Sequence, residues 1–273
     1  MDELLNLNET TTLDESPESF FETPVEQPTD YAAGLPTNCA EGKAPLLFLY
    51  DTSTSTALNG ADEEEQQSLQ AIESSLRSNP LAAGKLDIEV LTFGNGVQIL
   101  QNWTEGSRFQ APQLPEADGD TPLYEALDLT INQLNERRQM YNQLGTSSYV
   151  GTIILVTDGA ASDPEKKDVV LARLHEMMRR KKVCIIPIGV GHQADIMGDL
   201  KEVADGGTVL KAADANNFSD AIRFLTDSMS DLVCQTNPGD AGSMLTQMLQ
   251  APAPMPEPAP APDNSDDNCL DMF

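Results

Sequence analysis

Residues 46–55 read Leu46-Leu47-Phe48-Leu49-Tyr50-Asp51-Thr52-Ser53-Thr54-Ser55. Five apolar residues in succession, without helical spacing, predict a strand buried on both faces. It ends in a carboxylate, Asp51, with serine hydroxyls at the second and fourth positions after it, Ser53 and Ser55. In a parallel α/β sheet, ligands sit in the loops at the C-terminal ends of the strands. A carboxylate and two hydroxyls are hard oxygen ligands suited to Mg2+, which takes octahedral oxygen coordination and keeps several waters. Alone, these ten residues are equally compatible with a strand–helix turn whose Ser and Thr cap the next helix.

The flanking chain extends the pattern. Ala61–Asn79 predicts a helix, with Leu69, Ile72 and Leu76 at helical spacing and Asp62, Glu63, Glu64 and Glu65 at its positive end. Leu81–Leu86 reads as a short connection. Ile88–Phe93 and Val97–Trp103 predict two strands joined at Gly94-Asn95-Gly96, the second an antiparallel edge. A polar loop with Gly106, Pro112 and Pro115 leads to Thr121 as helix cap and Pro122 at the first helical position. Leu123, Leu127, Ile131 and Leu134 line one face of that helix, to about Met140. Thr152–Thr157 is a second buried strand, stopping at Asp158-Gly159. Asp163-Pro164 caps a helix to about Lys181, whose basic end (Arg179, Arg180, Lys181, Lys182) complements the helix dipole and needs no site to explain it. Val183–Val190 is a strand, Asp195–Ala204 a short helix, Thr208–Lys211 a short strand and Phe218–Val233 a last amphipathic helix. This order predicts an α/β fold: a doubly wound, mostly parallel central sheet with one antiparallel edge strand and helices on both faces.

Composition frames that core. The chain has 273 residues and a formal net charge of −28. Residues 1–38 hold nine acids and residues 235–273 six, with no Lys or Arg in either. Both ends are expected to be disordered tails, Pro- and Ala-rich at the C-terminal side, around one domain at 39–234. Such acidity disfavours nucleic acid and anionic membrane as partners and favours a cation or a basic protein. No apolar run approaches the roughly 20 residues of a membrane span, and residues 1–30 lack a basic start followed by an apolar core. The expectation is a cytoplasmic protein. Cys39, Cys184, Cys234 and Cys269 are scattered; they argue against a zinc site, and free thiols are expected in a reducing compartment.

Three strand-end loops thus supply oxygens: Asp51, Ser53 and Ser55, then Thr121, then Asp158. D-x-S-x-S, a Thr ahead of a helix and a strand-end Asp, in this order, resemble the metal-ion-dependent adhesion site (MIDAS) of von Willebrand factor A (VWA) domains. The segments DTSTS, VLTFG, GDTPLYEAL, ILVTDG and IPIGVG are similar to stand-alone bacterial VWA proteins of the tellurium-resistance (TerY-like) type, over about residues 44–233. The resemblance implies a VWA/Rossmann-like fold and a Mg2+ (or Mn2+) held by Asp51, Ser53, Ser55, Thr121 and Asp158. It implies a protein–protein interaction module whose partner carboxylate completes the metal shell, in stress-response or signalling systems with kinases and phosphatases. Thr54 stands where the family usually has Gly, and Asp120 where a Gly precedes the Thr; both would alter the loop or its charge slightly. The alternatives are a metal-free structural VWA domain or a phosphoryl-transfer enzyme using Asp51. The enzyme reading is the weaker, because Ser53 replaces the second Asp of D-x-D-x-T and neither His175 nor His192 has a nucleophile at a matching elbow.

Overall fold

The computed structural model describes residues 42–59, 61–158, 160–190, 197–207, 209–211 and 226–227. Both tails, Cys39, Cys234, Cys269, His192 and all but two residues of the expected helix Phe218–Val233 lie outside them.

The strands are β1 (Ala44–Asp51), β2 (Leu86–Gly94), β3 (Gly96–Glu105), β4 (Gly151–Thr157), β5 (Val183–Gly189) and the two-residue β6 (Leu210–Lys211). They form one sheet in the order β3-β2-β1-β4-β5-β6. All neighbouring pairs are parallel except β2 with β3, whose antiparallel register is shifted between Ile88 and Leu91. The helices are α1 (Thr54–Asn59), α2 (Ala61–Ser78), α3 (Pro80–Ala83), α4 (Leu123–Gln143), α5 (Lys167–Arg179) and α6 (Met197–Val203). No helix among the described residues is long and apolar enough to cross a membrane.

Alternation along the central strands sends side chains to two cores, as period-2 geometry requires. Leu46, Phe48 and Tyr50 of β1, with Ile154 and Val156 of β4, pack on Leu69, Ile72 and Leu76 of α2. Leu47 and Leu49, with Ile153 and Leu155, pack on Leu123, Leu127, Ile131 and Leu134 of α4 and on Leu174 of α5. β1 is buried along its whole length. Cys184 on β5 is partly buried against the first core, and burial pushes its thiol up to about 11.

Local differences from the expected elements have identifiable causes. The connection after α2 contains the helix α3, because the Asn79 side chain accepts the Ala82 N–H (3.2 Å) and Pro80 presets the first turn. Glu65 is buried, whereas Asp62 and Glu63 of the same acid run are exposed. Pro122 occupies the cap position of α4, which starts at Leu123, and Thr121 does not cap it. Asp163 does not cap its own helix either: Pro164–Lys166 is a 3-10 turn and α5 starts at Lys167. α5 ends with Lys182 N–H on the Met177 carbonyl and Lys181 N–H on the Met178 carbonyl (2.9 Å each). This is a Schellman closure with Lys181 at φ +53°, a left-handed position that glycine occupies with less strain.

Candidate metal-ion site

β1 is flanked by β2 on one side and β4 on the other, both parallel to it. The chain runs outward to β3, then returns to the far side of β1. The loops after β1 and β4 therefore diverge at the topological switch point, where open α/β sheets bind ligands.

Four of the five expected oxygen ligands meet there through direct hydrogen bonds. The Asp51 carboxylate accepts the Ser53 N–H (3.0 Å) on Oδ1 and the Thr157 hydroxyl on Oδ2. The Ser53 and Ser55 hydroxyls are 3.0 Å apart, and Ser55 donates to Asp158 Oδ1 at 2.8 Å. Asp51, Ser53 and Asp158 are at most 1% exposed; Ser55 is half-buried.

Thr121 is buried on the adjoining loop and joined to the cluster through backbone. The Gly119 carbonyl accepts both the N–H and the hydroxyl of Thr54 at 3.1 Å. The Thr121 carbonyl accepts the Ser162 N–H at 2.9 Å. Asp163 then caps α4 from the loop after β4, its two oxygens accepting the N–H groups of Tyr124 (3.1 Å) and Glu125 (2.8 Å). Helix capping is thus done by Asp163, and the Thr121 hydroxyl is not spent on it. The three loops brace one another pairwise: Thr54 on Gly119, Asp163 and Ser162 on the α4 start, Ser55 on Asp158.

The two departures from the family pattern are accommodated. Thr54 begins α1 with an exposed side chain, so no glycine is required there, and it ties the first loop to the second. Asp120 is exposed beside Gly119, whose φ of +83° makes the turn. Gly94 is a second glycine that this site requires. A Cβ there would lie 2.5 Å from the Thr52 carbonyl oxygen and 2.8 Å from that of Asp118. Sequence reading placed Gly94 in a hairpin turn and missed this approach; it also missed Thr157 and Asp163, which orient the cluster.

Electrostatics fits a cation. Burial, with Asp158 adding to it, pushes the Asp51 carboxyl up to about 6 against the hydrogen bonds of Ser53 and Thr157. Ser53, Thr157 and Asp158 are the neighbours that act most strongly on Asp51, and no Lys, Arg or His ion-pairs with it among the described residues. Two buried carboxylates side by side are costly unless a cation compensates them. Among the described residues no three His, Cys, Asp or Glu side chains form a metal-binding group. The set here has two carboxylates, and its remaining oxygens are hydroxyls, which suits a hard cation.

A profile of the von Willebrand factor type A domain matches residues 46–225, and the chain belongs to that family. Its fold is similar to the pilus adhesin SpaC from Lactobacillus rhamnosus GG in its open conformation, at 11% identity and a TM-score of 0.55. That match covers 71% of this chain and 30% of the adhesin, so the chain spans less than a third of that protein. It is also similar to the vWF domain of the type V pili tip protein Mfa5 from Porphyromonas gingivalis, at 10% identity and a TM-score of 0.53, over 72% of this chain and 98% of that domain. A search of curated proteins finds no match.

The trans cap gives a measurable expectation. Asp163→Ala should lower unfolding free energy by about 1–2 kcal/mol, as loss of a helix cap does. It should also weaken divalent-cation binding by loosening the start of α4 beside Thr121, while Asp163→Asn keeps part of both. Denaturant unfolding and cation titration of the two variants check this; equal cation affinity in all three proteins would separate the cap from the site.

Proposed function

We propose that this protein is a divalent-cation-dependent protein-interaction module. Asp51, Ser53, Ser55, Thr121 and Asp158 would hold Mg2+ or Mn2+. The observation that carries this reading is the Asp51–Ser53–Ser55–Asp158 oxygen cluster, with both carboxylates buried and no Lys, Arg or His ion-paired with Asp51 among the described residues. Three neutral hydroxyls and two carboxylates would fill five of the six octahedral positions of a divalent ion and no more than balance its charge, so the ion keeps one position, and Lewis acidity, for a further oxygen. A carboxylate from a partner protein answers that need. The chain's own part is to hold its ligands: Thr157 and the Ser53 amide fix Asp51, and Asp163 steadies the α4 start beside Thr121.

The likeness of DTSTS, VLTFG, GDTPLYEAL, ILVTDG and IPIGVG to TerY-like VWA proteins supports a cytoplasmic stress-response or signalling setting, with kinases or phosphatases among the partners. The high acidity supports a protein partner over nucleic acid or anionic membrane. No covalent role is assigned to any residue of the site. Affinity capture on the immobilised full chain tests the reading. Partners should be retained in Mg2+, released by a chelator and absent from Asp51→Ala. Retention indifferent to chelator and to Asp51→Ala would overturn it.

A further inference from the structure

At the opposite end of the sheet, a protein of net charge −28 concentrates cations. Arg179 and Arg180 at the end of α5, Lys181 and Lys182 just beyond it, and Arg138 of α4 form one surface. Arg138 donates to the Lys182 carbonyl and holds the turn against α4. Among the described residues, the acid that ion-pairs in this turn is Glu176, taken by both Arg179 and Arg180. Lys181 and Lys182 are exposed and make no ion pair among the described residues. Favourable charge on the helix dipole accounts for the two arginines, since the effect fades beyond the last turn. Lys181 and Lys182 stand just past that turn, where the dipole's pull is weaker, Lys181 at a left-handed position that glycine takes with less strain.

The chain preceding the domain arrives at this same end. Lys43, just ahead of β1, donates its N–H to the Ser147 carbonyl, and its own carbonyl accepts the Tyr149 N–H (2.9 Å each). Two residues on, Gly151 donates to the Lys182 carbonyl at 3.2 Å. The start of β1 and the basic turn are therefore two strand spacings apart, about 10 Å. Residues 1–38 carry nine acids and no Lys or Arg. A tether of that length reaches about 30–35 Å on coil scaling, several times the separation. Tethering also keeps its carboxylates at an effective concentration near millimolar.

We propose that the basic turn Arg179–Lys182, with Arg138, is a docking surface for the chain's own acidic segment 1–38. The contact is electrostatic, lies at the end of the sheet away from the MIDAS loops, and weakens with salt as exposed charge pairs do. It is independent of the metal reading.

Carbodiimide coupling of the dilute full chain, which joins touching Lys amines and carboxylates, tests it by mass spectrometry. Lys181 and Lys182 should couple to acids in 1–38 at least fivefold more than exposed Lys201 does. Isotope-mixed samples should show those links within one chain. The Arg179→Gln/Arg180→Gln variant leaves both lysines available and changes only exposed side chains, so it should fold. It should cut the links several-fold, as should high salt. Links no more frequent than those of Lys201, links unchanged in the variant, links between chains, or links dominated by residues 235–273 would each overturn the proposal.

Discussion

Arg137→Met should destabilise the domain by about 3–5 kcal/mol, the cost of removing one partner from a buried ion pair. Asp87 and Glu89 alternate on the α4 face of β2, both almost fully buried. Arg137 reaches down from α4 and donates Nε to Asp87 Oδ2 at 2.6 Å, while Tyr141 donates to the same oxygen. Its guanidinium lies 5.4 Å from the ring centroids of both Trp103 and Tyr141. Neither carboxylate oxygen of Glu89 has a hydrogen bond among the described residues, and burial holds its pKa well above the ordinary range. Burial raises Asp87 too, with Arg137 the strongest opposing influence. Without Arg137, Asp87 must sit charged and unmatched or take up a proton. A folded state that binds protons more tightly than the unfolded chain loses stability as pH rises above the carboxylate range. Denaturant unfolding of the variant should therefore show a larger loss at pH 8 than at pH 5, partly restored by adding Asp87→Asn. A loss under about 1 kcal/mol would mean that the cluster contributes little.

Asp51→Asn should separate stability from binding. In chelator, wild-type Asp51 titrates near 6, against an ordinary value of 3.8. The folded form holds this proton more tightly than the unfolded chain, so wild-type stability in chelator falls as pH rises from about 4 to about 6. The asparagine has no such ionisation and should be more stable at pH 8 by about 2–3 kcal/mol, the free energy matching that displacement. Wild type should regain stability on adding Mg2+, by about 2.7 kcal/mol at a hundred times Kd, and regain less below pH 6 as Asp51 protonates. The variant should regain none. Thermal unfolding at pH 5, 6.5 and 8, with chelator or Mg2+, reads all of this. A Mg2+ response equal in both proteins would contradict the assignment of Asp51.

The sequence showed most where the determinants are local. The buried run Leu46–Tyr50, the oxygen spacing after it and the helical stripe Leu123–Leu134 each depend on neighbours a few residues away. Accordingly, the sheet and the cluster of Asp51, Ser53, Ser55 and Asp158 were legible. What lay hidden was long-range. Asp163 reads as the cap of the helix beside it, yet it bonds amides 38 and 39 residues upstream. The rule that Thr before Pro starts a helix assigned Thr121 a task that another loop performs. Asp87 lies just ahead of the expected strand Ile88–Phe93 and Glu89 within it, and nothing in the local sequence marks either as buried. Only the packing of α4 over that part of the sheet, with Arg137 pointing inward, buries them. Gly94 shows its reason once two other loops are seen to press on its backbone.

The most direct measurement is isothermal calorimetry of Mg2+ and of Mn2+ into the chelator-treated full chain, beside Asp51→Ala and Asp158→Ala. Structural integrity of each variant is checked by near-UV circular dichroism. The expected result is about one ion per wild-type chain, as a single octahedral oxygen site would take, and loss of at least a hundredfold in affinity in both variants. Binding of the same stoichiometry and affinity in all three proteins would contradict a metal site at the β1–β4 switch point.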